Sequence, residues 1–214
     1  MSFYPVNLDL RNKRCAVVGG GKVALRKIRS LLQAGALVTV ISPSLDEDLL
    51  VVYHEQQFTY FDKVYENGDL QGFFLVICAS SDHDANKRAA QEAKEQGALV
   101  NVSDNSFPSD FTLPAKVERG PLLLTISTGG LSPAFSVLVK KELEEKYDDN
   151  YVAFLQIVAE LRAQLVGKVS TSKQRELLWR ELLTKDILQL VQKGNLSEAK
   201  VKLEDAVSRF RSES

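Results

Sequence analysis

Cysteine and histidine are scarce in this chain, with two of each among 214 residues. Cys15 and Cys78 lie in apolar, strand-like runs and lack the spacing of metal ligands. This pattern excludes a disulfide-stapled scaffold and indicates buried thiols in a reducing compartment. Because no cysteine and histidine cluster has the spacing of a zinc site, we predict no metal-ligating residues.

An excess of charge is also lacking, because 27 basic residues face 28 acidic ones and the formal net charge is −1. Without a basic excess the chain has no general field for nucleic acid or anionic membranes, so we predict neither as a partner. The sequence shows no signal-like N-terminal segment and no apolar run of membrane-spanning length. These absences favour a cytoplasmic protein, and the lack of a P-loop or Gly-x-Ser-x-Gly elbow argues against kinase and hydrolase chemistry.

The most informative feature present is a glycine-rich turn near the N-terminus. Residues 16–24 read AVVGGGKVA, so an apolar strand leads into Gly-x-Gly-x-x-Ala and then into a helix. In this order Gly19 permits the tight turn, Gly21 lets the backbone approach a pyrophosphate, and Ala24 keeps the helix close to the strand. A plain tight turn is the alternative, but the strand–turn–helix order favours a dinucleotide site. We predict that the first part of this cofactor-binding site consists of Gly19, Gly20, Gly21, Lys22, Val23 and Ala24.

Strands and helices alternate through the first half of the chain. Apolar runs predict strands at 37–41, 58–61, 73–79 and 98–102, and helical spacing predicts helices at 23–35 and 84–97. Continuous apolar strands are typical of a parallel sheet covered on both faces. We therefore predict an α/β fold whose first domain, residues 1–112, is a Rossmann-type parallel sheet.

The second half has a different pattern. Two strand-like runs, 111–117 and 122–127, flank a Glu-Arg-Gly-Pro turn and predict a hairpin, and Ser132-Pro133 predicts the start of a helix that ends near Tyr147. We assign residues 113–147 to a separate segment formed by this hairpin and helix. Residues 148–214 are predicted to form a small helical module with helices at 151–166, 173–190 and 197–210.

The predicted sheet directs attention to the residues that follow its strands. Ligands of such sheets lie at the carboxyl ends of the strands, so Ser42, Pro43, Ser44, Ala79 and Ser80 complete the predicted cofactor site. The acidic residue expected about 20 positions after the glycines, which would bind the ribose of NAD, is replaced by Ser-Pro-Ser. No arginine is present there for the 2′-phosphate of NADP, and Asp46 and Asp48 would repel that phosphate. These residues favour NAD as the cofactor.

Asp104 follows the strand at 98–102 and is the candidate catalytic residue. A carboxylate at that strand end is placed to accept the proton that leaves alongside a hydride. The alternative that Asp104 only caps a turn stays open, since aspartate often does so. His83 also follows a strand end, and we consider it either an acid or base or, with more weight, an exposed loop residue.

Four segments together resemble a known family: 4–8 (YPVNL), 18–24 (VGGGKVA), 101–104 (NVSD) and 127–133 (STGGLSP). They are similar to the N-terminal module of the siroheme synthases, a family of precorrin-2 dehydrogenases whose members in some cases are also sirohydrochlorin ferrochelatases. The resemblance implies NAD-dependent oxidation of precorrin-2 to sirohydrochlorin by a homodimer, and it implies that residues 113–147 are a dimerisation and substrate segment. It also implies that Asp104 is the catalytic aspartate, accepting a proton from the tetrapyrrole.

A tetrapyrrole ringed with carboxylates needs cationic or N–H donors, and we predict that these come from the hairpin and the loop after it. The predicted substrate-binding residues are Lys116, Arg119, Ser127, Thr128, Gly129 and Gly130. Many relatives have serine where this chain has Thr128, so a role specific to serine is not expected there. Two alternatives remain open: a bifunctional enzyme that also inserts Fe²⁺ into sirohydrochlorin and, ranked low, a non-catalytic NAD-sensing module.

Overall fold

A computed structural model describes residues 3–55, 57–104, 108–165 and 171–212. The chain divides into two compact units, one formed by Tyr4–Leu113 and the other mainly by Pro114–Ser214. This division lies next to the predicted boundary after residue 112. The further predicted boundary after residue 147 stays a prediction.

The first unit is built on five parallel strands. They are β1 (Arg14–Val18), β2 (Leu37–Ser42), β3 (Thr59–Asp62), β4 (Leu75–Cys78) and β5 (Leu99–Val102), in the spatial order β3-β2-β1-β4-β5. The strand order reverses between β1 and β4, and this is where parallel sheets of this type bind ligands at the carboxyl ends of their strands. The predicted Rossmann-type parallel sheet is confirmed.

Helices cover both faces of this sheet, because alternate residues of each central strand point to opposite sides. Cys15 and Val17 pack with the helices α1 (Lys22–Gln33) and α2 (Glu47–His54), whereas Ala16 and Val18 pack with α3 (His83–Glu95). The helix α2 was not predicted. Its eight residues bury only Leu49 and Val52, so the sequence carries too short an apolar stripe to reveal it.

The second unit begins with the predicted hairpin. Its strands β6 (Ala115–Arg119) and β7 (Leu122–Ile126) pair antiparallel, and β6 begins later than predicted because residues 111–114 are not in a strand. The helix α4 (Pro133–Lys146) follows, and its N-cap residue Ser132 accepts a 3.2 Å hydrogen bond from the backbone N–H of Phe135. The side-chain cap and Pro133 together fix the start of this helix, as predicted.

Four helices complete this unit. They are α5 (Asn150–Leu165), α6 (Ser172–Leu182), α7 (Lys185–Gln192) and α8 (Leu196–Ser212). The prediction of one helix over 173–190 was wrong, because the chain turns at Leu183 and Thr184, and the Thr184 hydroxyl caps a new helix. The predicted end of the first helix, Val166, lies outside the described residues. Apolar side chains of all four helices share one core.

That helical core should be sensitive to cavities. Leu203 of α8 is 1% exposed and packs in the core with Leu165 and Val191. We expect Leu203→Ala to lower the free energy of unfolding of this unit by about 2–5 kcal/mol, as large-to-small core substitutions do. The matched control is Val201→Ala on the same helix, where the side chain is 54% exposed. Urea denaturation followed by circular dichroism tests this, and equal losses in the two variants would contradict it.

Both cysteines are free and buried in the sheet, as predicted. Burial raises the pKa of the Cys15 thiol to about 11. It raises the pKa of Cys78 to about 12, with the charge of Asp104 as a second, smaller cause. The two thiols are therefore protonated and inert packing groups at neutral pH. None of the helices within the described ranges is long and apolar enough to cross a membrane.

Candidate functional site

The loops after β1, β2 and β4 converge on a cleft of about 550 Å³. Ten of the eleven predicted cofactor-binding residues lie in its wall, and Leu45, Asp46 and Ser81 join them. The wall is formed by Gly19, Gly20, Gly21, Lys22, Val23, Ser42, Pro43, Ser44, Leu45, Asp46, Ala79, Ser80 and Ser81. The eleventh predicted residue, Ala24, is instead fully buried in the core between α1 and the sheet, where it serves packing.

The glycines of this cleft have different tasks. Gly19 has a φ of +123°, and a Cβ at this position would lie 2.5 Å from the Ala79 carbonyl oxygen. At Gly20 a Cβ would lie 2.1 Å from the Ser44 carbonyl oxygen. These two glycines therefore allow the three strand-end loops to approach one another. Gly19 and Gly20 are therefore the positions at which two backbone segments of the protein lie in close contact.

Gly21 differs because a Cβ there would meet no protein atom within 4 Å. It is the N-cap residue of α1, and its carbonyl oxygen accepts the Leu25 N–H at 3.0 Å. The first N–H groups of a helix lack partners within the helix and favour an anion. The open space beside Gly21 and the start of α1 thus fit a dinucleotide pyrophosphate.

The β2 end of the cleft is held by hydrogen bonds within the chain. The Ser42 hydroxyl donates to the Ser44 carbonyl oxygen at 2.8 Å, and the Tyr60 hydroxyl donates to the Ser42 carbonyl oxygen at 2.9 Å. Asp46 donates its N–H to the Gly20 carbonyl oxygen at 2.8 Å and caps α2 with its side chain. The cleft wall also contains a side chain of each charge, Lys22 and Asp46.

Asp104 lies beyond the carboxyl end of β5, and its side chain is only 17% exposed. Its Oδ2 atom is 2.6 Å from Nδ1 of His83 and 2.6 Å from Nδ2 of Asn86. A carboxylate oxygen accepts, so the imidazole Nδ1–H and the amide N–H are the donors. His83 is the first residue of α3 rather than a loop residue, although its side chain is exposed as expected.

Asn86 is the functional candidate that the sequence analysis missed. It lies three residues after His83 on α3, so both side chains reach the same oxygen from one side of the helix. It also exchanges two hydrogen bonds with the backbone of Ser80, in the wall of the cleft. A signal was present in the sequence, since this asparagine lies among the alanines that form the buried face of α3.

The predicted substrate-binding residues lie in the second unit. Lys116 is paired with Glu118 at 2.7 Å, and Arg119 lies 3.8 Å from Asp149. In the loop after β7, the Thr128 hydroxyl donates to the Ser132 carbonyl oxygen at 3.2 Å and accepts the Ser132 N–H at 3.0 Å. Thr128 thus shapes the loop.

The two glycines of this loop, Gly129 and Gly130, adopt left-handed conformations with φ of +63° and +87°. Ser127 accepts the N–H of Gly129 at 3.2 Å through its hydroxyl. Among the residues that the structure describes, no group of three or more His, Cys, Asp or Glu side chains is placed to hold a metal ion.

A glycine cradle at the point where the strand order reverses defines a dinucleotide-binding protein of the Rossmann class. An NAD(P)-binding family model matches residues 6–115, a model of the central region of sirohaem biosynthesis proteins matches 119–146, and a model of the sirohaem synthase dimerisation region matches 150–207. The chain belongs to the family of precorrin-2 dehydrogenases and siroheme synthase N-terminal modules.

Individual relatives support this assignment. The chain is 34% identical to the siroheme synthase of Nitrosococcus oceani over 97% of its own length and 44% of that relative. It is also 34% identical to the siroheme synthase of Nitrosospira multiformis, over 95% of its length and 44% of that relative. The chain therefore spans less than half of these relatives. The solved structure of SirC, a precorrin-2 dehydrogenase, matches with a TM-score of 0.75 and 31% identity, covering 95% of this chain and all of that one.

Proposed function

We propose that this protein catalyses the NAD-dependent oxidation of precorrin-2 to sirohydrochlorin. The observation that carries this proposal is the physical connection of Asp104, through Asn86, to Ser80 in the wall of the dinucleotide cleft. A shielded carboxylate attached to a dinucleotide cradle is the arrangement that a dehydrogenase needs. A nucleotide sensor has no need of the carboxylate.

In this reaction the macrocycle loses a hydride from one carbon and a proton from a neighbouring position, and a double bond forms between the atoms left behind. NAD, when bound, supplies the acceptor for the hydride. Asp104 accepts the proton, and the N–H groups of His83 and Asn86 keep its carboxylate in place. Gly19 and Gly20 keep the cleft loops close, and the start of α1 binds the pyrophosphate.

We assign the binding of the substrate carboxylates to residues of the second unit. Lys116, Arg119 and the loop of Ser127, Thr128, Gly129 and Gly130 supply cationic groups and N–H donors for them. The ion pairs of Lys116 and Arg119 are exposed or partly exposed. Such pairs are weak enough to be exchanged for a substrate carboxylate.

The finer cofactor assignment is NAD rather than NADP. Asp46 lies in the cleft wall beside the end of β2, where Rossmann proteins hold the adenosine ribose. A carboxylate there accepts a hydrogen bond from a ribose hydroxyl and repels a 2′-phosphate. Lys22, the cation of the wall, lies in the first turn of α1, where it suits the pyrophosphate.

We also propose that the protein functions as a homodimer in the cytoplasm. Its helical module matches a dimerisation region, and α4 with its preceding loop exposes large apolar side chains, among them Leu131, Phe135 and Leu138. Exposed apolar surface of this kind marks an interaction site. Two buried free thiols fit a reducing compartment.

Anaerobic incubation with precorrin-2 and NAD tests the proposed reaction. We expect formation of NADH, followed by the absorbance of its reduced nicotinamide, together with the absorbance of sirohydrochlorin, and slower turnover when NADP replaces NAD. The control contains the protein and NAD without precorrin-2. Tight NAD binding with no turnover of precorrin-2 would instead support the sensor alternative.

A second candidate activity is the insertion of Fe²⁺ into sirohydrochlorin, which the resemblance to the siroheme synthase family implies for some members. This reaction needs a base for the pyrrole protons but no nicotinamide, and Asp104 supplies such a base. Fe²⁺ is then a substrate rather than a resident metal. Addition of Fe²⁺ to sirohydrochlorin without NAD separates the two activities.

A further inference from the structure

Asn86 is a fully buried polar side chain on a helix face that is otherwise made of alanine. It is 0% exposed, and Ala85, Ala89, Ala90 and Ala93 form the rest of the buried face of α3. A buried amide is costly unless its donors and acceptor are all paired. Since alanine suffices for packing along this face, the amide at this position points to a task other than packing.

The partners of Asn86 determine the orientation of its amide group. The N–H of Ser80 donates to Oδ1 at 3.1 Å, and Nδ2 donates to the Ser80 carbonyl oxygen at 2.9 Å. The second hydrogen of Nδ2 is directed to Oδ2 of Asp104 at 2.6 Å. A backbone N–H can only donate and a carboxylate can only accept, so the opposite orientation of the amide would break all three bonds.

Through these hydrogen bonds Asn86 connects two loops of the first unit that are distant from each other in the sequence. Ser80 lies in the wall of the cofactor cleft after β4, and Asp104 lies in the loop after β5. We infer that Asn86 is a positioning residue, which fixes the Asp104 carboxylate relative to the strand end that holds the cofactor. The inference rests on the proposed function, because it assumes that Asp104 accepts a proton while a hydride leaves.

His83 donates to the same carboxylate oxygen but cannot set its position equally well. Its side chain is 67% exposed, so water can replace the imidazole as a donor. Asn86 is fully buried, so its amide does not exchange with bulk water as the exposed imidazole does. Loss of the amide therefore leaves Ser80 and Asp104 without a common anchor.

Two substitutions at this position separate a donor role from a packing role. Asn86→Asp keeps the size and the acceptor for the Ser80 N–H, but it removes both N–H donors and places a carboxylate against Asp104. Asn86→Ala removes the whole amide. We expect kcat at saturating NAD and precorrin-2 to fall about 10²-fold in both variants, since a misplaced catalytic group costs about that much.

The affinity for NAD supplies a readout independent of turnover. Because Asn86→Asp retains the bond from the Ser80 N–H, we expect its Kd for NAD by calorimetry to stay within about 5-fold of wild type, well below the loss in kcat. Recovery of normal kcat in Asn86→Asp but not in Asn86→Ala would overturn the inference, because only packing would then matter. Equal losses of kcat and of NAD affinity in Asn86→Asp would overturn it as well.

A matched control and a double variant complete the experiment. Tyr65→Phe removes a partly buried hydrogen bond to Glu92, farther along the same helix. It should lower the melting temperature with little change in kcat. Adding Asn86→Ala to Asp104→Ala should cost no further activity, since both act through one carboxylate. A further loss of the same size would contradict the inference. Full activity of Asp104→Ala alone would overturn the assigned role of Asp104, and only the absence of precorrin-2 turnover by the wild-type protein would overturn the proposed function.

Discussion

Replacing Asp104 with alanine is expected to lower the turnover of precorrin-2 about 10³-fold, because a positioned general base contributes about 10²–10⁴-fold to a rate. The NAD cleft should remain intact, since Asp104 does not belong to its wall. We therefore expect the Kd for NAD, measured by calorimetry, to change about 3-fold or less. Steady-state formation of NADH at saturating substrate gives kcat.

Asp104→Asn is the matched variant for this experiment. It preserves the size of the side chain but cannot accept a proton as a carboxylate does, so we expect it to be as inactive as Asp104→Ala. Folding is monitored by circular dichroism, because both variants leave the donors of His83 and Asn86 without a charged acceptor. If either variant turned over precorrin-2 at the wild-type rate, the proton would have another acceptor.

The fold was predictable in its sheet and less so in its short helices. The apolar runs of β1, β2, β4 and β5 are largely buried on both sides, so most of their residues carry the same signal. The helix α2 buries only two residues, and the division of α6 from α7 depends on one turn at Thr184. Features this small depend on tertiary packing more than on periodicity.

The candidate site was predictable where it follows from strand ends. Parallel strands bring their carboxyl ends to one edge, so Gly19, Ser42 and Ala79 were expected to meet although they are far apart in the chain. Asn86 could not be placed in this way, because it lies within a helix and acts through two loops. The pairing of its amide depends on distances that only the packed sheet and helix provide.

Substitutions of Gly20 and Gly21 are expected to give the second large effect. Comparing the two positions distinguishes damage to the structure of the cleft from damage to the binding of its ligand. Gly20→Ala would place a Cβ 2.1 Å from the Ser44 carbonyl oxygen and 2.8 Å from the Ser42 hydroxyl. The Ser44 carbonyl group belongs to the backbone and cannot rotate away as a side chain could, so the loops after β1 and β2 must separate. We expect NAD affinity to fall about 10²-fold, together with a lower melting temperature, since strained substitutions cost stability.

Gly21→Ala makes the complementary test, because its Cβ would meet no protein atom within 4 Å. We expect its melting temperature to stay close to the wild-type value, because Gly21 has a φ of −87° that alanine can adopt. The lower entropy of the unfolded chain then offsets the weaker preference of alanine for an N-cap. Its NAD affinity should still fall about 10-fold or more, because the methyl group would occupy the space through which a pyrophosphate approaches the backbone. Differential scanning fluorimetry and calorimetric titration with NAD measure the two effects. Unchanged NAD affinity in Gly21→Ala would show that the pyrophosphate lies elsewhere along the start of α1, whereas loss of affinity without loss of stability ties the ligand to this glycine.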